Sequence, residues 1–135
     1  KSSPLFSNID LQFHFEEGDY RVKGNPVTLG QVSLNLLLNA AQVQPNGGEV
    51  RVEGSTGESK VVIKVIDRGP GISEEAMSHL FEPFYSGRSS TGLGLSLCLG
   101  IIRQHGGSIK AENRPKGGAS FMVTLPALRS SEKSA

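Results

Sequence analysis

Asp67 closes a run of β-branched residues and is followed at once by Arg68-Gly69-Pro70-Gly71-Ile72. A carboxylate at the end of an apolar strand is costly unless a donor meets it. The exocyclic amine of adenine is such a donor. Gly69 and Gly71 let the backbone pass close to a flat ring, and Ile72 is available to pack on it. The same pattern equally fits a strand-to-helix turn whose Asp bonds its own backbone. Farther along, Thr91-Gly92-Leu93-Gly94-Leu95 is a glycine turn that opens an apolar helical stretch. Backbone N–H groups and the positive end of the helix dipole gather at such a turn, an arrangement that binds phosphate. It is not the Walker pattern, because no Gly-Lys-Ser/Thr follows, and it is not a full dinucleotide fingerprint. Between the two, Ser86-Gly87-Arg88-Ser89-Ser90 is small and polar around one guanidinium, which reads as a lid whose Arg88 reaches phosphate oxygens. A surface loop with an incidental arginine is the plainer alternative.

Amides form the third group. Gln31, Asn35, Asn39 and Gln42 make one polar stripe on a helix whose other positions are nearly all apolar. A buried amide left unsatisfied costs about 1–3 kcal/mol. The stripe therefore faces a polar ligand, a metal or water, unless it is simply the exposed edge of the helix. Amide oxygens are hard donors suited to Mg²⁺, which takes few protein ligands when phosphates supply the rest. The histidines read as structural or surface residues, since no two of them share metal-ligand spacing with a cysteine or carboxylate. His14 alternates outward on a strand, His79 lies in a short helix, and His105 precedes a glycine stop where its charge favours a helix C-terminus. Cys98, the single cysteine, sits among Leu97, Leu99 and Ile101 and reads as a small buried hydrophobe in a reducing compartment.

The elements that must hold these residues follow from periodicity and punctuation. Ile9 to Glu16 alternates with period two and predicts a half-buried strand, and Tyr20 to Lys23 a second. Asn25-Pro26 supplies an N-cap and a first-turn proline for a helix to about Gln44, which Pro45-Asn46-Gly47-Gly48 ends. Strands are predicted over Glu49 to Gly54 and Ser59 to Asp67, the latter central in a sheet because it is nearly continuous in Val and Ile. Ser73 caps a short helix toward Phe81, and Phe81, Pro83, Phe84 and Tyr85 form an aromatic knot that anchors the next loop to the core. Leu93 to His105 is predicted helical, with strands at Ser108 to Glu112 and Ala119 to Leu125. Strands alternating with three helical segments imply helices layered on one face of a mixed or antiparallel sheet.

Composition bounds the reading. A chain of 135 residues with 36% hydrophobic content makes one domain with a real core. Fourteen Lys and Arg against 13 Asp and Glu leave a net charge of +1, so no bulk field recruits nucleic acid or an anionic membrane. Apolar stretches such as Val32 to Val43 fall well short of the roughly 20 residues that span a bilayer. The 17 glycines concentrate at the turns already named. Residues 1–8 are expected to be a linker from a longer protein, 9–126 the domain, and 127–135 a disordered tail.

Taken in order, N-L-L-L-N-A at 35–40, D-R-G-P-G-I at 67–72, L-F-E-P-F-Y at 80–85, T-G-L-G-L-S at 91–96 and G-G-A-S-F at 117–121 resemble the ATP-binding catalytic domain of two-component sensor histidine kinases. That family carries an asparagine box, a glycine box, a phenylalanine box, and two further glycine boxes in this succession. The resemblance covers about residues 9 to 126. It implies the Bergerat ATP-binding fold, an α/β two-layer sandwich with a mixed five-stranded sheet and about three helices on one face, holding Mg²⁺ and ATP under a lid. It implies Asn39 as the Mg²⁺ ligand, Asn35 and Arg88 as catalytic residues near the phosphates, and Asp67 on the adenine amine with Ser120 assisting through water. Gly69, Gly71, Ile72, Tyr85, Thr91, Gly92, Leu93, Gly94 and Leu95 complete the implied nucleotide-binding set.

There are departures from the family pattern. Ser90 stands where its G-T-G-L-G-L usually begins, which stiffens a short lid, and Gln42 stands where many members carry lysine. Ala119-Ser120 replaces Thr-Thr in the last box, and no H-E-x-x-x-P phospho-acceptor segment is present. The expected partners are therefore a separate dimerisation and histidine-phosphotransfer domain and, through the whole kinase, a response regulator. A cytoplasmic, monomeric piece without membrane or nucleic-acid contact is expected, the parent being anchored or not. Two other readings stay open at this point: an ATPase or serine kinase of the same fold, and an interaction module whose nucleotide pocket has decayed. The ATPases often place an acidic base where Asn35 stands.

Overall fold

The computed structural model describes residues 8–57, 59–83 and 94–128. Its first strand, β1 (Ile9–Phe15), runs parallel to β2 (Gly48–Thr56), and a parallel neighbour requires a crossover. Helix α1 (Pro26–Gln42) supplies it. Asn25 holds an extended backbone and its Oδ1 accepts the Val27 N–H at 2.9 Å, while Pro26 occupies the first turn, where its missing N–H costs nothing. Strand β3 (Lys60–Asp67) then pairs antiparallel with β2. Two helices follow, α2 (Glu74–His79), capped by the Ser73 hydroxyl, and α3 (Gly94–Gln104). The last two strands are β4 (Ser108–Asn113) and β5 (Ala119–Pro126), and the sheet order is β1-β2-β3-β5-β4.

The five-stranded mixed sheet and its helices match the predicted architecture. Along β5, Ala119, Phe121, Val123 and Leu125 are buried and the residues between them are not; β2 alternates likewise through Val50 and Val52. The buried side meets α1 through Val32, Leu36 and Ala40 and α3 through Leu95, Cys98 and Ile102, which form one apolar cluster with the strands. No helix of the described residues is long and apolar enough to cross a membrane.

Three expectations need correction. The strand predicted at Tyr20 to Lys23 is only an isolated bridge between Val22 and Ala127, because Gly24 and Asn25 divert the chain into α1 before a ladder can extend. Strand β1 is far more exposed than half-buried: Phe13 is 59% accessible, and Leu11 and Phe15 are exposed too. Helix α1 packs over β2 and β3 rather than over this edge. An apolar cleft of about 300 Å³ opens beside it, lined by Phe13, Phe15, Leu29 and Leu36 among others. For the same reason α1 is not apolar toward protein all round, since Val27 and Leu34 face outward. Third, His105 is no charged helix cap. Its Nδ1 lies 2.8 Å from the Ile101 carbonyl and its Nε2 is 3.1 Å from the Asn25 N–H. One ring nitrogen must donate and the other accept, so the neutral tautomer ties the end of α3 to the start of α1.

Cys98 has no exposed surface, and burial pushes its thiol up to about 11. In the unfolded chain the thiol ionises first, so alkali favours unfolding by this group: its contribution to stability is intact below about pH 8.5 and falls as pH rises toward the folded value. Urea midpoints taken at about pH 8 and about pH 10 are expected to fall more in the parent chain than in Cys98→Ala, whose cavity cost is the same at both pH values.

Candidate functional site

Asp67 ends β3 at 1% accessibility. Its Oδ1 accepts two backbone N–H groups, Gly69 at 2.9 Å and Ala119 at 3.2 Å. The first closes the tight turn of the D-R-G-P-G segment; the second comes from the first residue of β5. Gly118, just before it, has φ +86°, and a Cβ there would lie 2.0 Å from the Asp67 carbonyl oxygen. Only glycine lets the hairpin between β4 and β5 come this close.

The pairing register overturns the placement of Ser120. Ile66 pairs with Ser120, so the next step along the ladder brings Ala119 beside Asp67. Successive side chains on a strand point to opposite faces. Ala119 shares the helix-covered face with Phe121, whereas Ser120 lies on the far face with Met122 and Thr124. The last glycine box therefore offers a methyl group, not a hydroxyl, at the carboxylate.

Helix α1 carries the amide stripe past this corner. Val43 abuts Gly69, so a Cβ on Gly69 would sit 2.8 Å from it. The small size of Gly69 thus serves the packing of α1 against the loop. One turn back, Asn39 is 3% accessible, and among the described residues neither its Nδ2 nor its Oδ1 has a hydrogen-bond partner. Another turn back, Asn35 is half-buried, with Nδ2 3.5 Å from the Gly94 carbonyl and its side chain also toward the Cys98 thiol. Gln31 and Gln42, the ends of the stripe, are exposed. The neighbouring buried amide is well packed and well bonded. Gln44, also buried, donates to the Ala40 and Glu49 carbonyls at 3.1 and 3.0 Å and accepts the Glu49 N–H at 3.1 Å. Within five residues one buried amide is bonded at both nitrogen and oxygen and the other, among the described residues, at neither, and an orphan of that kind calls for a ligand.

Positions 43, 39 and 35 lie on successive turns, so α1 spans about 12 Å from the Asp67 corner to the start of α3. Gly94 is the first residue of α3. Leu95 and Ile72 both contribute their side chains to the apolar core, which leaves the Leu95 backbone N–H as the group it could offer a phosphate. Phe81 packs edge-on against Phe121, with centroids 6.5 Å apart, as an anchor should. Tyr85, Arg88, Thr91, Gly92 and Leu93 lie outside the described residues. Among the described residues no three of His, Cys, Asp and Glu gather as a metal site. One residue of the corner escaped the sequence reading altogether: Asn113, the last of β4, whose amide bonds both backbone groups of Ile72.

A family described as histidine kinase-, DNA gyrase B-, and HSP90-like ATPase (HATPase_c) matches residues 24–129. Sporulation kinase C of Bacillus subtilis is 35% identical over 127 residues, which are 93% of this chain and 30% of that kinase. The chain thus spans about a third of that relative. Among solved structures, the catalytic domain of histidine kinase ThkA superposes with a TM-score of 0.79 at 34% identity, covering 88% of this chain and 80% of that one. ThkA in complex with the response regulator protein TrrA gives a TM-score of 0.75 at 36% identity over 88% of this chain and 34% of that one. The buried carboxylate, the orphaned amide and these likenesses agree: the chain belongs to the HATPase_c family, as an ATP-binding catalytic domain of the histidine kinase kind.

Proposed function

We propose that this domain holds Mg²⁺-ATP so that a histidine on a separate dimerisation domain attacks the γ-phosphorus in line, the bond to the β,γ-bridging oxygen breaking to release ADP and the phosphoryl group then passing from the histidine to a response regulator. The observation that supports the reading is the buried Asn39 amide, without a partner among the described residues, one helical turn from Asn35 and one from the Asp67 corner. Asp67 takes the adenine amine. Asn39 offers its Oδ1 to the metal, a hard oxygen donor of the type Mg²⁺ accepts beside phosphate oxygens and water. When bound, the cation neutralises charge on the phosphates. Asn35 and the first N–H groups of α3 stand at the phosphate end, where a helix N-terminus favours negative charge. The protein's contribution is position and electrostatics, which is what phosphoryl transfer demands.

Asn35 also separates this reading from a hydrolytic ATPase of the same fold. An amide takes up no proton, so it does not activate water as a general base. Steady ATP hydrolysis by the isolated domain would favour the ATPase reading. The response regulator is inferred from the ThkA complex, and the domain is placed in the cytoplasm whether or not its parent is membrane-anchored.

Calorimetric titration with ADP and Mg²⁺ is expected to show one site. Asp67→Asn keeps an oxygen for the Gly69 and Ala119 N–H groups but removes the charge that meets the base, and affinity is expected to fall about tenfold or more. Unchanged affinity would remove Asp67 from the base site. Asn39→Leu replaces an orphaned amide with an apolar group of similar size. The ligand-free domain is expected to hold or raise its urea midpoint, by up to about 1–3 kcal/mol of stability, while the Mg²⁺-dependent part of ADP binding disappears. A less stable variant that still shows Mg²⁺-dependent binding would contradict the assignment.

A further inference from the structure

We infer that Asn113 is the positioning residue of the base site, setting where the 67–72 loop stands and so how the site discriminates among purines; this rests on the nucleotide reading above. Asn113 ends β4 and is paired with Ala119, which itself donates to Asp67. The three residues form one row across β4, β5 and β3 on the helix-covered face. Ala119 in the middle is only a methyl group, so the row has one reader at one end and one long amide at the other.

That amide acts as a surrogate peptide group. Its Oδ1 accepts the Ile72 N–H at 2.7 Å and its Nδ2 donates to the Ile72 carbonyl at 2.7 Å. Forty-one residues separate the partners, and the bonds close the open end of the loop as a strand neighbour would. Asp67 Oδ1 pins the near end through Gly69, and Asn113 pins the far end through Ile72. Gly71 lies between with φ +85°, its missing Cβ facing Asn113 Oδ1 at 3.0 Å. Asn113 in turn is held by its hairpin, since the Arg114 N–H donates to the Gly118 carbonyl at 2.9 Å. The loop that presents the base edge therefore takes its position from a residue outside every glycine box, through two short bonds that only an amide of this length makes together.

Two variants test this. Asn113→Asp keeps the acceptor but sets a carboxylate against the Ile72 carbonyl; Asn113→Leu keeps the shape and loses both bonds. With Mg²⁺ present, each is expected to bind ADP about tenfold more weakly than the parent chain. The preference for ADP over inosine diphosphate, which lacks the amine, is expected to shrink with it, and amide hydrogen exchange at Ile72 to quicken. A merely structural role would lower the melting temperature and leave the ADP-to-inosine-diphosphate ratio unchanged, and that result overturns the inference. If the parent chain binds neither nucleotide, the nucleotide reading fails, and this inference with it. If the parent binds ADP and the ratio stays fixed in both variants, this inference fails alone.

Discussion

A carboxylate held out of water at the end of a sheet is the constraint on which the pocket end of this domain depends. Burying a charge is tolerated only with donors in place, and Asp67 takes backbone N–H groups from two segments, its own loop and the start of β5. Side-chain donors would leave both segments free to move. Backbone donors instead oblige β5 to begin beside the carboxylate and the loop to turn tightly around it. Gly118 follows from that demand, because no side chain fits where the hairpin crosses the Asp67 carbonyl. Helix α1 is drawn in as well, through Val43 against Gly69. The Asp67 corner is thus overdetermined by its own scaffold.

The stretch of α1 around Asn39 is built on the opposite principle. Gln44 lies just past the end of α1, five residues from Asn39, and the described residues complete the first while leaving the second unanswered. An unsatisfied buried amide is a defect that stability alone would remove, and its persistence fits a residue kept for a ligand. Asn35 is intermediate, with one long contact to Gly94 at 3.5 Å. On the proposed function, a rigid Asp67 corner and unfilled capacity at Asn39 suit a domain that must grip one part of a nucleotide and hand over another.

Much of the fold was legible in the chain. The caps at Asn25 and Ser73, the central β3 and the alternation of β5 are local signals, read correctly because cap chemistry and strand period act within a few residues. What was not legible is long-range. Nothing local says that α1 leaves β1 uncovered, so Leu11, Phe13 and Phe15 look like core when read by period alone. The family resemblance implies Ser120 near the carboxylate, yet one residue of register decides which face a side chain joins, and the ladder sets Ala119 there. Asn113 gave no signal because its partner lies 41 residues away. His105 looks like a cap from its place at a helix end, whereas its other partner is Asn25, the N-cap of α1, whose backbone N–H donates to Nε2.

The central claim is that one nucleotide spans from the Asp67 corner to Asn39, with the metal at Asn39. Replacing Mg²⁺ with paramagnetic Mn²⁺ in the presence of ADP, and following side-chain and backbone amide signals by NMR, tests it most directly. The account predicts that the Asn39 side-chain amide broadens first, that Asn35 follows, and that the Gly69 and Ile72 amides shift with ADP even before metal is added. Broadening centred on the exposed acidic residues, with Asn39 unaffected and the 67–72 loop unshifted, would contradict it.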